Sequence, residues 1–160
     1  MDAEASVEVC IRERYVELVR AVAIACGSVP TAEDAVQEAF ARAWEKQRKG
    51  ERFTHLAGWV VTTALNHTRS RWRRVRRETE LRVAPSAPAQ DLELSLDVRA
   101  AVATLPARQR DVVVLYYLLD FDVATTAELL GVSDGTVKTA LSRARTALAP
   151  KLDFNSEAQG

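Results

Sequence analysis

Apolar residues recur at spacings of three and four along most of this chain of 160 residues, and this helical period constrains the fold more than any other feature of the sequence. Strand signals are weak, since there are only six glycines and no Asn-Gly pair of the kind that marks a tight hairpin. A content of 48% hydrophobic and 28% charged residues is typical of a folded globular protein. The sequence therefore predicts an all-α chain.

The helical period is interrupted at residues 83–91, whose sequence VAPSAPAQD contains two prolines and three alanines. Such a composition without periodicity is typical of a linker. We therefore predict two small helical domains joined by a flexible linker. The expected boundaries are residues 1–82 for the first domain, 83–94 for the linker, 95–153 for the second domain and 154–160 for a polar tail.

Three helices are predicted in the first domain, at about Ser6–Ala25, Thr31–Lys49 and Leu56–Arg77, with Thr31 as the N-cap of the second. The helical period predicts one buried stripe on each of the last two helices. On the second helix the stripe comprises Ala35, Val36, Ala39, Phe40, Ala43 and Trp44. On the third helix it comprises Leu56, Trp59, Val60, Thr63, Ala64 and His67.

The second domain is expected to contain four helices, at about Leu92–Thr104, Ala107–Leu119, Thr126–Leu130 and Asp134–Ala149, with Pro150 frayed after the last. Thr125 and Glu128 have the spacing of a capping box, Gly131 can form a tight turn, and Ser133 can cap the helix that follows. This order of signals is typical of a helix-turn-helix.

The last helix is expected to bury one face and expose another, on which short hydroxyl side chains lie between long cationic ones. Serine and threonine allow close approach to a DNA major groove, while lysine and arginine reach phosphates and guanine edges. The expected buried residues are Val137, Ala140, Leu141, Ala144 and Leu148. The predicted DNA contacts are Thr136, Lys138, Thr139, Ser142, Arg143 and Arg145.

Basic charge is concentrated around the third helix, although the whole chain has a net charge of zero. Residues 51–82 contain eight arginines and three glutamates, a net charge of +5. Asparagine can bond a base edge and arginine can neutralise phosphates, so a polar helix face of this kind predicts a second nucleic-acid contact. That face comprises Thr62, Asn66, Arg69, Arg73 and Arg76.

Other function classes are disfavoured by what the sequence lacks. Its cysteines, Cys10 and Cys26, and its histidines, His55 and His67, do not have the spacing of metal ligands, and no nucleophile elbow, phosphate loop or paired-carboxylate site can be assembled. The longest apolar run, Val112–Leu119, is far shorter than the roughly 20 residues of a membrane span, and no signal peptide is evident. We therefore predict a cytoplasmic protein that is not an enzyme and uses no metal or cofactor.

These features together resemble the extracytoplasmic-function (ECF) group of sigma-70 family RNA polymerase sigma factors. Residues 34–40 (DAVQEAF) resemble the family's region 2.2, and residues 59–77 resemble its regions 2.3 and 2.4. Residues 105–110 (LPARQR), with 135–145 further on, resemble region 4. The resemblance implies a factor that brings core RNA polymerase to promoter DNA.

The resemblance also implies roles for particular residues. Asp34, Gln37 and Glu38 would dock on the clamp helices of the polymerase β′ subunit. The face around Asn66 would contact the minus-10 element, with the loop at 50–57 capturing a flipped base. Region 4 would contact the minus-35 element and rest on the β flap. An anti-sigma partner and a monomeric free state are further expectations.

Two other classes of function are compatible with the residues alone. A stand-alone helix-turn-helix regulator would use the first domain as a dimeriser or sensor and would bind its operator tightly without polymerase. A small nuclease would need a cluster of metal ligands or bases. Dependence on core polymerase separates a sigma factor from both.

Overall fold

The computed structural model describes residues 6–78 and 96–152, apart from the side chains of residues 72, 73, 75–78, 96, 97 and 152. All regular secondary structure in these ranges is helical, which confirms the predicted fold class. The chain divides into two compact units, Met1–Ala89 and Gln90–Gly160. The predicted linker, residues 83–94, and the predicted tail lie outside the described residues.

The first unit contains three helices: α1 (Val7–Cys26), α2 (Val29–Arg48) and α3 (Leu56–Glu78). Gly27 ends α1 in the left-handed conformation, at φ +82°, which suits a residue without a side chain. The prediction of Thr31 as the cap of α2 was wrong, because Ser28 occupies that position and its hydroxyl accepts from the Thr31 amide at 3.3 Å. The helix can begin this early because Pro30 falls in its first turn, where a missing N–H costs no helical bond.

The core of the first unit lies where its three helices meet. On α2 the predicted stripe is confirmed except for Trp44, whose residue surface is 43% exposed. On α3 the prediction is only partly right, because Trp59, Thr63 and His67 are half-buried. The helix packs against both α1 and α2, so its buried face is wider and includes a second row of residues. The buried residues of α3 are Leu56, Ala57, Gly58, Val60, Val61, Ala64, Leu65 and Thr68.

The second unit contains α4 (Leu96–Ala103), α5 (Ala107–Val113), a π-helical segment (Val114–Leu118), α6 (Val123–Leu130) and α7 (Asp134–Leu152). The continuous helix predicted from residue 107 to 119 therefore changes its winding half-way. The predicted end of the last helix at about Ala149 falls three residues short, because α7 includes Pro150 near its end. A proline there removes one hydrogen bond from a helix with only two residues still to come.

The two cysteines are free thiols in the first unit. Cys10 is buried, and this burial raises the pKa of its thiol. Cys26 is only half-buried and its thiol donates to the Ser28 carbonyl oxygen at 3.5 Å. No described helix has the length and apolar character needed to cross a membrane.

Candidate nucleic-acid interface

The turn between α6 and α7 is built by short local contacts. Gly131 ends α6 at φ +69°, and the Val132 amide donates back to the Ala127 carbonyl oxygen at 3.0 Å. Ser133 then caps α7, since its hydroxyl accepts from the Thr136 amide at 3.1 Å, which confirms two of the predicted signals. These contacts give the two helices a compact connection of the helix-turn-helix type.

The start of α6 differs from the prediction. Its N-cap is Asp122, whose carboxylate accepts from the Thr125 amide at 2.7 Å, so Thr125 lies inside the helix and does not form a capping box with Glu128. A carboxylate is also favoured at this end of a helix by the helix dipole. The first helix of the helix-turn-helix is therefore one turn longer than the sequence suggested.

The position of α7 is fixed from its buried side. All five residues predicted to be buried on this helix are buried. Val137, Ala140 and Leu141 share an apolar cluster with Val112 of α5 and Ala127 of α6. Because this cluster joins three helices, it holds the opposite side of α7 towards solvent.

That opposite side carries the predicted minus-35 contacts, which are all exposed: Thr136, Lys138, Thr139, Ser142, Arg143 and Arg145. Within the described residues, the side chains of Lys138 and Arg143 make no hydrogen bond or ion pair. The face therefore presents free cationic groups beside short hydroxyls. Such a surface can approach phosphates and base edges without first giving up internal contacts.

Two flanks of α7 differ in their neighbours. On one flank, a groove of about 480 Å³ is lined by Thr136, Thr139 and Arg143 together with Arg108 and Gln109 from the first turn of α5. On the other flank, Arg145 contacts Tyr117, with its Nε donating to the tyrosine hydroxyl oxygen at 2.7 Å.

Three polar residues therefore join the candidate site although they were not among the predicted contacts. Arg108 and Gln109 could have been predicted, because Pro106 signals a helix start in the sequence and the two residues lie in the first turn of that helix. Tyr117 is placed by the π-helical segment, for which the sequence gives no comparable signal.

The predicted minus-10 face of α3 is partly paired within itself. Asn66 is exposed and its Oδ1 accepts from an Arg69 Nη at 2.6 Å, so these two side chains are brought together. The Thr62 hydroxyl donates to the Gly58 carbonyl oxygen at 2.7 Å and is therefore engaged by its own helix. Arg73 and Arg76 belong to α3, but their side chains lie outside the description.

Aromatic side chains pack beside the start of this face. The rings of Phe53 and Trp59 lie with centroids 5.0 Å apart and planes tilted by 56°. Both residues are half-buried, so each packs partly inside the domain and is partly accessible to solvent. Phe53 belongs to the loop that precedes α3, and its contact with Trp59 attaches this loop to the helix.

The three predicted polymerase contacts are exposed on α2, and each is bonded to a neighbouring side chain. Asp34 Oδ2 lies 2.6 Å from an Arg71 Nη on α3, an ion pair that the helical period does not predict because 37 positions separate its partners. Gln37 Nε2 donates to the Tyr15 hydroxyl at 2.9 Å, and Glu38 accepts from Arg42 Nε at 3.2 Å. Among the described residues, no three His, Cys, Asp or Glu side chains are grouped to hold a metal ion.

Comparison with known proteins supports a common identity for both units. The family models for Sigma-70 region 2 and Sigma-70 region 4 match residues 11–78 and 95–148, respectively. The ECF RNA polymerase sigma factor EcfG of Rhodopseudomonas palustris is 33% identical over 141 residues, which cover 83% of this chain and 78% of that protein. SigW of Bacillus subtilis, another ECF sigma factor, is 30% identical over 145 residues, covering 79% and 78% of the two chains.

Solved structures give the same result. The sigma factor RpoE of Bartonella quintana, in complex with the anti-sigma factor NepR, superposes with a TM-score of 0.70 at 32% identity, covering 89% of this chain and 95% of that one. CnrH, in complex with the cytosolic domain of CnrY, shares the fold with a TM-score of 0.66 at 24% identity, covering 92% and 88%. These matches favour a sigma factor over a stand-alone regulator, and such factors are not enzymes. The chain belongs to the ECF group of RNA polymerase sigma factors.

Proposed function

We propose that this sigma factor recognises the minus-35 element of its promoters through the exposed side of α7. The observation that carries this proposal is the separation of the helix into a buried apolar side and an exposed side on which Lys138 and Arg143 have no partner within the described residues. Lys138, Thr139 and Ser142 face the major groove, whereas Arg143 and Arg145 reach phosphates on either side. Arg108 and Gln109 of α5 extend this surface, because they line the same groove of the protein as Thr136.

The minus-10 element binds to the polar face of α3. Asn66 is exposed and can offer its amide to a base edge once Arg69 turns to a phosphate. Arg73 and Arg76 continue the same face in sequence, and Thr62 lies one turn before Asn66. The half-buried pair Phe53 and Trp59 supports the loop that would receive a flipped base.

Core polymerase binds mainly to the N-terminal half of α2. Asp34, Gln37 and Glu38 project from a helix whose opposite side is buried in the first unit, so they are available to the clamp helices of the β′ subunit. The second unit would rest on the β flap. Polymerase then holds both DNA-binding surfaces on one promoter.

The number of residues between the two units limits how far apart they can be held. The boundaries proposed from the sequence give a first domain of residues 1–82, a linker of 83–94 and a second domain of 95–153. Residues 79–95 separate α3 from α4, and a chain of that length spans at most about 60 Å when extended. This length is an upper limit on the distance between the end of α3 and the start of α4.

An anti-sigma protein is a further expected partner, since the similar RpoE of Bartonella quintana was solved with the anti-sigma factor NepR. The free factor would be a monomer, and it would be cytoplasmic because polymerase and promoter DNA are found in that compartment. Binding of a partner to the surface of α2 would compete with polymerase for Gln37 and Glu38.

The proposal is tested by capture of core polymerase and by run-off transcription from a promoter library. Wild-type protein should bind core enzyme and initiate from a defined subset of promoters. The double variant Gln37→Ala with Glu38→Ala should bind core enzyme about tenfold or more weakly while unfolding at the same temperature, since both side chains are exposed. Tight operator binding by the protein alone, with no capture of polymerase, would instead indicate a stand-alone regulator.

A further inference from the structure

The π-helical segment between α5 and α6 places two adjacent tyrosines in different surroundings. The segment is closed by the Leu119 amide, which donates to the Val114 carbonyl oxygen at 3.1 Å. Tyr116 packs against the apolar cluster beneath α7, whereas Tyr117 is 46% exposed. A π turn takes in one residue more than an α turn and therefore redirects the side chains that follow, and such segments are frequent at functional sites.

Tyr117 contacts Tyr116 on the side of the domain core and Arg145 of α7 on the other side. The rings of Tyr116 and Tyr117 meet edge to face with centroids 5.0 Å apart. The Tyr117 hydroxyl accepts from Arg145 Nε at 2.7 Å, and the guanidinium carbon lies 5.9 Å from the ring centroid. A continuous set of contacts thus runs from the domain core through both rings to one arginine of the proposed DNA surface.

The chemistry of this contact leaves the arginine ready for an anion. Its Nε is occupied by the tyrosine, while the two terminal nitrogens remain as a fork that matches a phosphate. The hydrogen bond to Tyr117 raises the pKa of the Arg145 guanidinium, a group that is positively charged at neutral pH in any case. Within the described part of the chain, no carboxylate lies at ion-pair distance from Arg145, so no internal anion competes with DNA.

From this arrangement we infer that Tyr117 is a positioning residue that orients Arg145 towards a DNA phosphate beside the minus-35 element. A free arginine side chain loses much rotational freedom on binding, and fixing it beforehand reduces that loss. Because Arg145 lies on a flank of α7, its contact strengthens binding to all promoter sequences about equally. The inference rests on the proposed function, which assigns the exposed side of α7 to DNA.

The test measures binding of the reconstituted holoenzyme to a promoter selected by run-off transcription, over a range of salt concentrations. Arg145→Gln should lower affinity about tenfold and reduce the slope of log affinity against log salt by about one, as expected for one lost phosphate contact. Tyr117→Phe keeps the ring but removes the acceptor, and should lower affinity about two- to fivefold. Tyr117→Ala removes both and should have the larger effect.

The double variant Tyr117→Phe with Arg145→Gln decides whether the tyrosine acts through the arginine. It should bind promoter DNA as Arg145→Gln does, because the positioning effect has nothing left to act on. Tyr116→Phe serves as the matched control and should leave affinity and salt slope unchanged. An equal loss from Tyr117→Phe with and without Arg145 would overturn the inference, and so would an unchanged salt slope in Arg145→Gln.

These outcomes are separate from failure of the proposed function. If wild-type protein does not form a promoter-binding holoenzyme, the assignment of α7 to DNA fails. If wild-type holoenzyme binds promoters but the variants at positions 117 and 145 behave independently, only the positioning role is removed. Thermal unfolding of each variant identifies any loss that is caused by misfolding of the second unit.

Discussion

The two proposed DNA surfaces differ in how far their polar groups are already engaged. On α7, Lys138 and Arg143 have no side-chain partners within the described residues. On α3, Asn66 is bonded to Arg69, and the Thr62 hydroxyl donates to the Gly58 carbonyl oxygen at 2.7 Å. Two cations of the α7 surface are free to bind, whereas the described polar residues of the α3 surface must exchange internal contacts for contacts with nucleic acid.

This difference fits the two tasks of a sigma factor. The minus-35 element is duplex DNA from the outset, so a helix with unpaired cations can dock on it directly. The minus-10 element offers its bases only after the strands separate. Until then the polar groups of α3 can stay bonded within the protein, because no exposed base is available to them. Exposed pairs contribute only about 0–1 kcal/mol each, so the exchange is easily reversed.

The largest expected effect comes from removing the buried support of the free surface. Leu141 is almost fully buried in the cluster that joins α5, α6 and α7. Leu141→Ala should lower the free energy of unfolding of the second unit by about 2–5 kcal/mol, through lost burial and a new cavity. Chemical denaturation followed by circular dichroism measures this change.

The matched control for Leu141→Ala lies in the other unit. Leu65 is equally buried on α3, and Leu65→Ala should destabilise the first unit by a similar amount. If the two units unfold separately, each variant shifts a different transition. A single transition shifted equally by both variants would show that the two surfaces are not carried by independent folding units.

A smaller but more specific effect is expected from two exposed residues, one on each surface. Lys138→Ala should cost about 1–3 kcal/mol in holoenzyme binding to promoters that depend on their minus-35 element, and Asn66→Ala should relax the base preference at the minus-10 element. Run-off transcription from a library varied in both elements measures the two preferences. The same change of profile in both variants would contradict the division of labour between α7 and α3.

Much of the free surface could be predicted from sequence because its determinants are local. The glycine turn, the Ser133 cap and the five buried positions of α7 lie within a stretch of about twenty residues. Helical period and capping chemistry act over such distances. The displaced caps at Ser28 and Asp122 show the limit of this approach, since the choice between two cap candidates three residues apart depends on how the chain enters the helix.

The contacts that were missed join residues far apart in sequence. Arg71 and Asp34 are 37 positions apart, and Arg145 and Tyr117 are 28 apart. Neither pair follows from the period of a single helix, because each depends on how two elements pack. The π-helical segment adds a local change of winding that an apolar run such as Val112–Leu119 does not signal.

The smallest expected effect tests whether the ion pair between Asp34 of α2 and Arg71 of α3 contributes to polymerase binding or only to stability. Asp34 and Arg71 have side-chain exposures of 59% and 48%, so Asp34→Asn and Arg71→Gln should each change the free energy of unfolding by less than about 1 kcal/mol. If Asp34 contacts the polymerase clamp, Asp34→Asn should weaken capture of core enzyme several-fold. Arg71→Gln should leave capture unchanged or slightly stronger, because Asp34 then has no internal partner to give up. Equal weakening by both variants would mean that the intact ion pair, and not Asp34 alone, is needed for polymerase binding. The difference between free and engaged side chains would then not explain how polymerase is bound.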